Sequence, residues 1–370
     1  MSENLTPPMA QSRSHNVVAS PLSDSSIPMR RAVVAIGGNA LLKPGQVGHE
    51  AELHAGAHDV ARSLVPLLQG GWRVALVHGN GPQVGIELVR SEEASTKVPP
   101  FGLDLCVANT QGAMGALLLV ALRNVLHEEG LGLPVTCIVT LAEVAAEDPA
   151  FQRPTKPIGL FYSAYRAHRL RAELERKGWD IVEDAGRGYR PVVPSPRPRA
   201  LLETPSVELL LAAGHVVVAG GGGGVAVARP SEDAPWTMRE AVIDKDRTSA
   251  LLARALGAEL LVFLTGVDQV DLNHGTTLSR RLERLHPSEA RRHHAEGQFP
   301  PGSMGPKVEA AWDFAEAGGT ALITSAASLH LALVGRAGTR ITIDDHDLGP
   351  AAVGRQLALP LGLAAGPPLT

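Results

Sequence analysis

The sequence predicts an α/β protein whose strands run mainly parallel and are buried on both faces of an open sheet. Two observations carry this. Short, almost wholly apolar runs recur at 32–36, 74–77, 216–219 and 260–265, and a strand covered by helices on both sides has no polar face to alternate. Each run ends in a glycine-bearing turn, and segments of helical periodicity lie between them, which is how strand-turn-helix units read. At 370 residues and 44% hydrophobic content, the chain can hold one large α/β domain or two smaller ones.

Residues 1–30 are rich in Ser, Pro and Asn without an apolar run, and read as a disordered extension. Arg30-Arg31 before 32–36 superficially suggests a twin-arginine signal, but Gly37-Gly38-Asn39 cuts the run. An export signal is rejected, and no stretch reaches the ~18 uninterrupted apolar residues of a membrane span. Glycines directly after a strand let backbone N–H groups approach a ligand. A helix is expected over 50–68, closed by Gly70-Gly71, and the strand at 74–77 ends in His78-Gly79-Asn80-Gly81. Two such turns at the carboxyl ends of parallel strands face one crevice, where open α/β sheets bind ligands. His78 reads either as a packed histidine or as a catalytic group.

Residues 107–128 form a strongly apolar helix with Gly112 and Gly115, suited to close packing against a neighbour or a second subunit. A third strand is expected over 135–141. From 143 to 193 the pattern changes to Pro, Arg, Tyr and short irregular pieces, which reads as a lid, a subdomain or disorder. Lys156 lies there between prolines, on a stiff segment suited to delivering a group from outside the sheet. The strand at 216–219 runs into Gly220 to Gly224. These glycines read as a spacer or, directly after a buried strand, as a phosphate-cradling loop. The dinucleotide fingerprint fails because Val225 stands where its third glycine belongs, and no P-loop motif occurs.

The chain is organised around 240–258. Ala241, Val242 and Ile243 lead into Asp244-Lys245-Asp246, and a helix is expected from Thr248 to Gly257. The first turn of a helix offers unpaired N–H groups and a partial positive charge, so it suits capping carboxylates or a bound anion. Only six of the 34 Lys and Arg residues are lysines. Where arginine supplies the surface charge, a lysine marks a place for a small, mobile ammonium. Three lysines lie in Gly/Pro-marked turns: Lys156, Lys245 and Lys307. The strand at 260–265 closes in Gly266-Val267-Asp268, and Lys307 stands near the start of a helix over 308–317, a poor place for a cation unless an anion shares it. Strands at 320–324 and 340–343 follow, then a loosely attached tail at 346–370. His293-His294 lacks a metal-ligand context and reads as solvated.

A net charge of −4, a pI near 6.4 and the lack of a basic run with interleaved aromatics argue against a nucleic-acid partner. Cys106 and Cys137 lie in apolar segments and read as buried free thiols of a reducing cytoplasm. Glycine turns at strand ends, three lysines and an aspartate at a helix start suit phosphoryl transfer, which needs positioning and neutralisation of phosphate charge. No nucleophilic Ser or Cys constellation competes.

The motifs Val34-Ala-Ile-Gly-Gly-Asn-Ala-Leu41, His78-Gly-Asn-Gly-Pro-Gln-Val-Gly85, Pro154-Thr-Lys-Pro-Ile-Gly159, Glu183-Asp-Ala-Gly-Arg-Gly188, the Gly220–Gly224 run, Ala241-Val-Ile-Asp-Lys-Asp246, Thr265-Gly-Val-Asp268 and Gly302-Ser-Met-Gly-Pro-Lys307 resemble those of carbamate kinases, in the amino-acid kinase superfamily. They stand in family order. The resemblance implies the amino-acid kinase fold over 31–345, an open, mainly parallel sheet sandwiched between helical layers, with 143–193 as a protruding subdomain and a cytoplasmic homodimer as the assembly. It implies reversible transfer between ATP and carbamate, giving ADP and carbamoyl phosphate, run toward ATP in arginine catabolism, with Mg²⁺ accompanying the nucleotide and no metal held by the protein itself. It also implies roles. Lys156 reaches from the subdomain toward the carbamoyl end, Lys245 and Lys307 stabilise the phosphoryl group in flight, and Asp246 holds those lysines. Gly37, Gly38, Asn39, Gly79, Asn80 and Gly81, with Gly221, Gly222 and Gly223, bind the acceptor and phosphate, while Asp244, Gly266, Val267, Asp268 and Met304 lie toward the nucleotide. The chain departs from the pattern at Val225-Ala226, where the family has Ile-Pro, and in both terminal extensions. Carbamate is already an anionic nucleophile, so no general base is required, and no strong candidate for one is present. The rival readings are a related kinase for another small carboxylate and a nucleotide-binding regulatory module without catalysis.

Overall fold

The computed structural model describes residues 29–42, 46, 48–184, 188–300 and 302–343, so almost all of the expected N-terminal extension and the whole tail lie outside the described residues, as does the side chain of Asn39. Eight strands form the main sheet in the order Arg284–Leu285, Thr339–Ile341, Thr320–Ser325, Leu260–Thr265, Arg31–Ile36, Arg73–His78, Val216–Val218, Val135–Cys137. Every neighbouring pair is parallel except Thr320–Ser325 with Thr339–Ile341.

The unbroken apolar runs are explained by packing on two sides. Along Arg31–Ile36, Val33 and Ala35 join one core with Phe263 and Ile323, while Ala32, Val34 and Ile36 join the other with Leu76 and Val262. Helices Lys245–Ala255, Pro287–Ala295 and Met304–Glu316 cover the first face, and Glu50–Ser63, Val65–Gln69 and Leu103–Glu128 cover the second. Burying one Val, Leu or Phe side chain contributes roughly 1.5–3 kcal/mol, so the central strands hold the layers together from both sides.

Several elements differ from expectation for physical reasons. The strand expected over 135–141 is two strands in different sheets, Val135–Cys137 and Leu141–Val144. The chain turns between them because Gln111 pins Thr140, accepting from its N–H at 2.9 Å and donating to its carbonyl at 3.0 Å. The helix expected over 50–68 breaks into Glu50–Ser63 and Val65–Gln69, because Pro66 has no N–H to continue the ladder. Leu141–Val144 joins a second sheet in the order Thr237–Met238, Val225–Ala228, Leu141–Val144, Pro198–Leu201.

The irregular stretch within 143–193 is more ordered than its composition suggests. Lys156–Pro157, Tyr189–Val193 and Asp180–Glu183 form a three-stranded antiparallel sheet, covered by helix Ala164–Arg176. That helix buries only Ala167 and Leu174, so it leaves no apolar stripe in the sequence. Ile158, Leu174, Trp179 and Ile181 continue into a core with Val84, Leu88 and Val107 from helices Gly81–Glu93 and Leu103–Glu128. The closest contact is glycine on glycine: a Cβ on Gly85 would lie 2.1 Å from the Gly159 Cα, and the Gly159 N–H donates to the Gly81 carbonyl at 2.9 Å.

Helix Leu103–Glu128 is long and apolar enough to cross a membrane by length and composition, but half of its most apolar window is buried inside the fold. Its first N–H groups are capped from far along the chain, with Glu240 Oε1 accepting from the Leu103 N–H at 3.0 Å. Cys106 is buried and Cys137 half-buried, both free, so only the first fits the expected burial. Cys137 lies in the edge strand, packed against Gly115. His294 is packed rather than solvated, lying edge-on to Trp312 at 5.2 Å between ring centroids.

Candidate active site

Lys156 and Lys307, far apart in sequence, meet Asp244, Lys245 and Asp246 at one helix start. Asp244 is the N-cap of Lys245–Ala255 and accepts from the N–H groups of Asp246 at 2.9 Å and Arg247 at 3.3 Å. Lys245 and Asp246 are therefore the first two helical residues rather than a loop before it. Helix Met304–Glu316 likewise begins earlier than expected and carries Lys307 near its first turn. The Lys245 Nζ donates to Asp246 Oδ1 at 3.1 Å, and the Lys307 Nζ donates to Oδ2 of the same carboxylate at 3.2 Å. The Lys307 Nζ also donates to the Ser303 carbonyl at 3.1 Å. From the three-stranded sheet, the Lys156 Nζ donates to Asp244 Oδ2.

Burial makes these charges act strongly on one another. Asp244 and Asp246 are 7% and 3% exposed, and Lys307 8%. Burial pushes the Asp244 carboxyl up, but the Lys156 and Lys245 charges, the Lys156 bond and Lys307 outweigh it and hold the acid well below the usual carboxylate range. Burial pulls the Lys245 ammonium down, and the opposing Asp246 and Asp244 charges more than restore it, so its pKa is raised. At Lys307 burial and the Lys245 charge prevail over Asp246 and Asp244, so its pKa is lowered. Three ammonium groups against two carboxylates leave one positive charge in excess, in a setting of weak screening.

The glycine turns form the floor. Gly37 follows the Arg31–Ile36 strand, its N–H donating to the Leu264 carbonyl at 2.9 Å, and Gly38 and Asn39 open a short helix, Gly38–Leu41. Gly79 lies against the Lys245 stem, where a Cβ would come within 3.0 Å of Cδ. Asn80 stands at the N-cap position of helix Gly81–Glu93 and is buried, its side chain turned from capping to donate from Nδ2 to Thr110 Oγ1 at 2.9 Å. The Gly220–Gly224 run is not a slack spacer. Gly220, Gly222, Gly223 and Gly224 all have positive φ, and a Cβ on Gly221 or Gly222 would fall 2.5 Å from His78 Nε2 or 2.2 Å from Asn80 Nδ2. Only glycine fits both the backbone and the space. His78 is 1% exposed, its Nδ1 donates to the Gly79 carbonyl at 3.1 Å, and burial pulls its pKa down to about 4. This is the packed histidine of the two readings.

Gly266, Val267 and Asp268 form the loop after Leu260–Thr265, the neighbour of the first strand. Asp268 accepts from the hydroxyls of Ser325 at 2.5 Å and Ser328 at 2.8 Å, bonds that lower its pKa. Met304 is the first residue of the Lys307 helix. The structure thus joins Lys156, Asp244, Lys245, Asp246 and Lys307 through direct bonds. Asp268 is tied instead to Ser325 and Ser328.

Sequence reading missed the groups that hold the loop. Thr248 Oγ1 donates to the Gly223 carbonyl at 2.9 Å, and Thr140 Oγ1 accepts from the Gly220 N–H at 2.8 Å. The available signal was a hydroxyl inside an apolar run, since a buried polar group needs a partner. Among the described residues no group of three His, Cys, Asp or Glu is placed to hold a metal ion.

A pre-formed cationic cluster at a helix start, beside glycine turns at the ends of parallel strands, is the equipment of a phosphotransferase. The profile of the amino acid kinase family matches residues 30–325. Carbamate kinase 3 of Staphylococcus aureus is 45% identical over 317 residues, spanning 85% of this chain and 99% of its own. The carbamate kinase of Pyrococcus furiosus is 40% identical over 315 residues, spanning 84% and 99%. The structure of carbamate kinase from Giardia lamblia bound to AMP-PNP superposes with a TM-score of 0.77 at 36% identity, covering 86% of this chain and 99% of that one. The chain belongs to the amino acid kinase family, within its carbamate kinase group.

Proposed function

We propose that the site transfers a phosphoryl group between carbamoyl phosphate and ADP, reversibly, and that the cell draws on it to make ATP in arginine catabolism. The observation that carries the reading is the single Asp246 carboxylate holding Lys245 and Lys307 at 3.1 and 3.2 Å, with Lys156 brought to the same helix start by Asp244.

In the ATP-forming direction a terminal oxygen of ADP bonds to the phosphorus of carbamoyl phosphate as the bond to the carbamoyl oxygen breaks. Carbamate leaves as an anion, so no proton moves, and positioning with charge neutralisation is what the protein must supply. Lys245 and Lys307 stabilise the equatorial oxygens, and Lys156 stabilises the carbamoyl end. The turns at Gly37 to Asn39 and Gly79 to Gly81 receive the acceptor, with the Gly37 and Gly79 N–H groups holding the turns to the strand carbonyls of Leu264 and Ile36, Gly221 to Gly223 lie beneath the phosphate, and Asp244, Gly266, Val267, Asp268 and Met304 border the nucleotide. Asp244 and Asp246 are committed to lysines, so Mg²⁺ suits this site as an ion carried chiefly by phosphate oxygens, with at most one carboxylate added. When bound it supplies further neutralisation of the phosphates.

The proposal includes a cytoplasmic homodimer. The outer face of Leu103–Glu128 supports it: Gly112 has nothing within 4 Å of its Cβ position, and Leu105 and Val120 are 41% and 50% exposed. Residues 143–193, with the three-stranded sheet, are proposed to act as a subdomain carrying Lys156. The test is ATP formation from carbamoyl phosphate and MgADP by the purified chain, with N-acetylglutamyl phosphate as the competing donor. Rapid ATP formation with carbamoyl phosphate alone supports the reading. Turnover of the acylated amino-acid phosphate alone moves the chain to a different acceptor, and none with either donor favours a regulatory module.

A further inference from the structure

Glu309 is a charged group beside the lysine cluster to which phosphoryl transfer assigns no role. It stands two residues beyond Lys307 on helix Met304–Glu316, with its side chain 17% exposed. Both oxygens are engaged: Oε2 accepts from Arg247 Nη2 at 3.0 Å and Oε1 accepts from Arg197 Nη2. Arg247 lies in the first turn of Lys245–Ala255, where its N–H is one of the two that Asp244 caps. Arg197 ends the short segment that follows Tyr189–Val193, the strand paired with Lys156–Pro157, and Pro194 in that segment accepts from the Val242 N–H at 2.9 Å. One carboxylate therefore joins three pieces of chain, each adjacent to a different lysine of the cluster.

We propose that Glu309 is a positioning residue for phosphoryl transfer, fixing Lys307 against Lys245 and Lys156 from outside the site; the role rests on the function proposed above. Asp246 and Glu309 bridge the same two helices at separate points. The core already packs the two helices together, and the second bridge adds a constraint close to Lys245 and Lys307 themselves. An ion-pair network of this kind orders its members at less entropic cost per bond than isolated surface pairs, because the shared carboxylate is already fixed. The consequence is kinetic. Displacing a reacting or stabilising group by 1 Å costs about a hundredfold in rate.

The experiment compares the native chain with Glu309→Gln, Glu309→Asp and the combined Arg247→Gln, Glu309→Gln variant. Two readouts are taken: kcat and KM for ADP in ATP formation, and the rate at which each lysine reacts with an amine-directed reagent, resolved by peptide mass spectrometry. Glu309→Gln is expected to lower kcat about tenfold or more with KM within about threefold, and to label Lys307 several-fold faster while exposed Lys97 keeps its rate. Glu309→Asp, which keeps the charge, is expected to recover part of both, and the combined variant to lose no more than the single one. If Glu309→Gln fails to fold, Glu309→Asp and Arg247→Gln carry the same comparison. An unchanged Lys307 labelling rate overturns the proposal, as does unchanged kcat in an active enzyme. The labelling needs no turnover, so an inactive native chain refutes the proposed function while the placement of Lys307 is still decided.

Discussion

The Lys307 ammonium lies 3.2 Å from Asp246 Oδ2, and Oδ1 of that carboxylate is already occupied by Lys245 at 3.1 Å. Two cations from different helices share one buried anion, and for Lys307 the Ser303 carbonyl at 3.1 Å is the second partner. Asp246→Asn keeps the shape and removes the charge. It is expected to lower turnover about a hundredfold and to cost on the order of 3 kcal/mol of stability, because two buried ammonium groups lose their counter-charge. Urea unfolding and the ATP-forming assay measure the two effects, and turnover within about threefold of native refutes the shared-anchor role.

His78 makes stability depend on pH. Its pKa falls from 6.5 in the unfolded chain to about 4 in the fold, chiefly through burial. Between those values the unfolded chain binds the proton and the folded one does not, so stability is full above pH 6.5 and is lost as pH falls toward 4. The loss amounts to about 3 kcal/mol over the window. His78→Asn, which can keep a donor toward the Gly79 carbonyl, is expected to flatten the dependence of the urea midpoint between pH 6.5 and 4. An unchanged slope counts against a buried neutral His78.

In the proposed role of Lys307 beside the phosphates, its charge is expected to set the alkaline limit of activity. Burial and the Lys245 charge lower its pKa, whereas that of Lys245 is raised. As pH rises, Lys307 therefore loses its proton before Lys245, and with it the charge proposed to face the phosphate. The kcat/KM profile, which reports the ligand-free enzyme, is expected to fall at a pH below the ordinary lysine value of about 10.4, before unfolding sets in. A profile flat through that value shows that the charge of Lys307 is not required.

Gly85 and Gly159 fix how the three-stranded sheet meets the body. A methyl at Gly85 would lie 2.1 Å from the Gly159 Cα, and Lys156 is only three residues from that contact. Gly85→Ala gains up to about 1 kcal/mol of helix propensity, yet the backbone contact must open. Turnover is expected to drop at least tenfold with far-ultraviolet circular dichroism unchanged, and native turnover refutes the coupling.

What the chain reveals by inspection follows from what each element buries. Strands such as Val216–Val218 and Leu260–Thr265 read clearly because both faces are covered. Helix Ala164–Arg176 was illegible because it is almost wholly solvated, and the break at Thr140 depends on Gln111, a partner 29 residues away. In the site, the rarity of lysine together with Gly/Pro-marked turns singled out Lys156, Lys245 and Lys307, and Asp244-Lys245-Asp246 was legible as a helix entry, but not that Asp244 is the cap, because the helix begins three residues earlier than its apolar pattern. Glu309, Arg247 and Arg197 gave no local signal, since their significance lies in bonds between separate helices and a returning loop.

Lys156, brought to the helix start by Asp244, is proposed to act on the carbamoyl end of the substrate. The most direct test is the rate of ATP formation from carbamoyl phosphate and MgADP by folded Lys156→Ala beside the native chain, with MgADP affinity measured separately by calorimetry. A fall in turnover of about a hundredfold or more with MgADP affinity retained is the expected result. Turnover close to native, or a loss explained wholly by weaker MgADP binding, contradicts that role for Lys156.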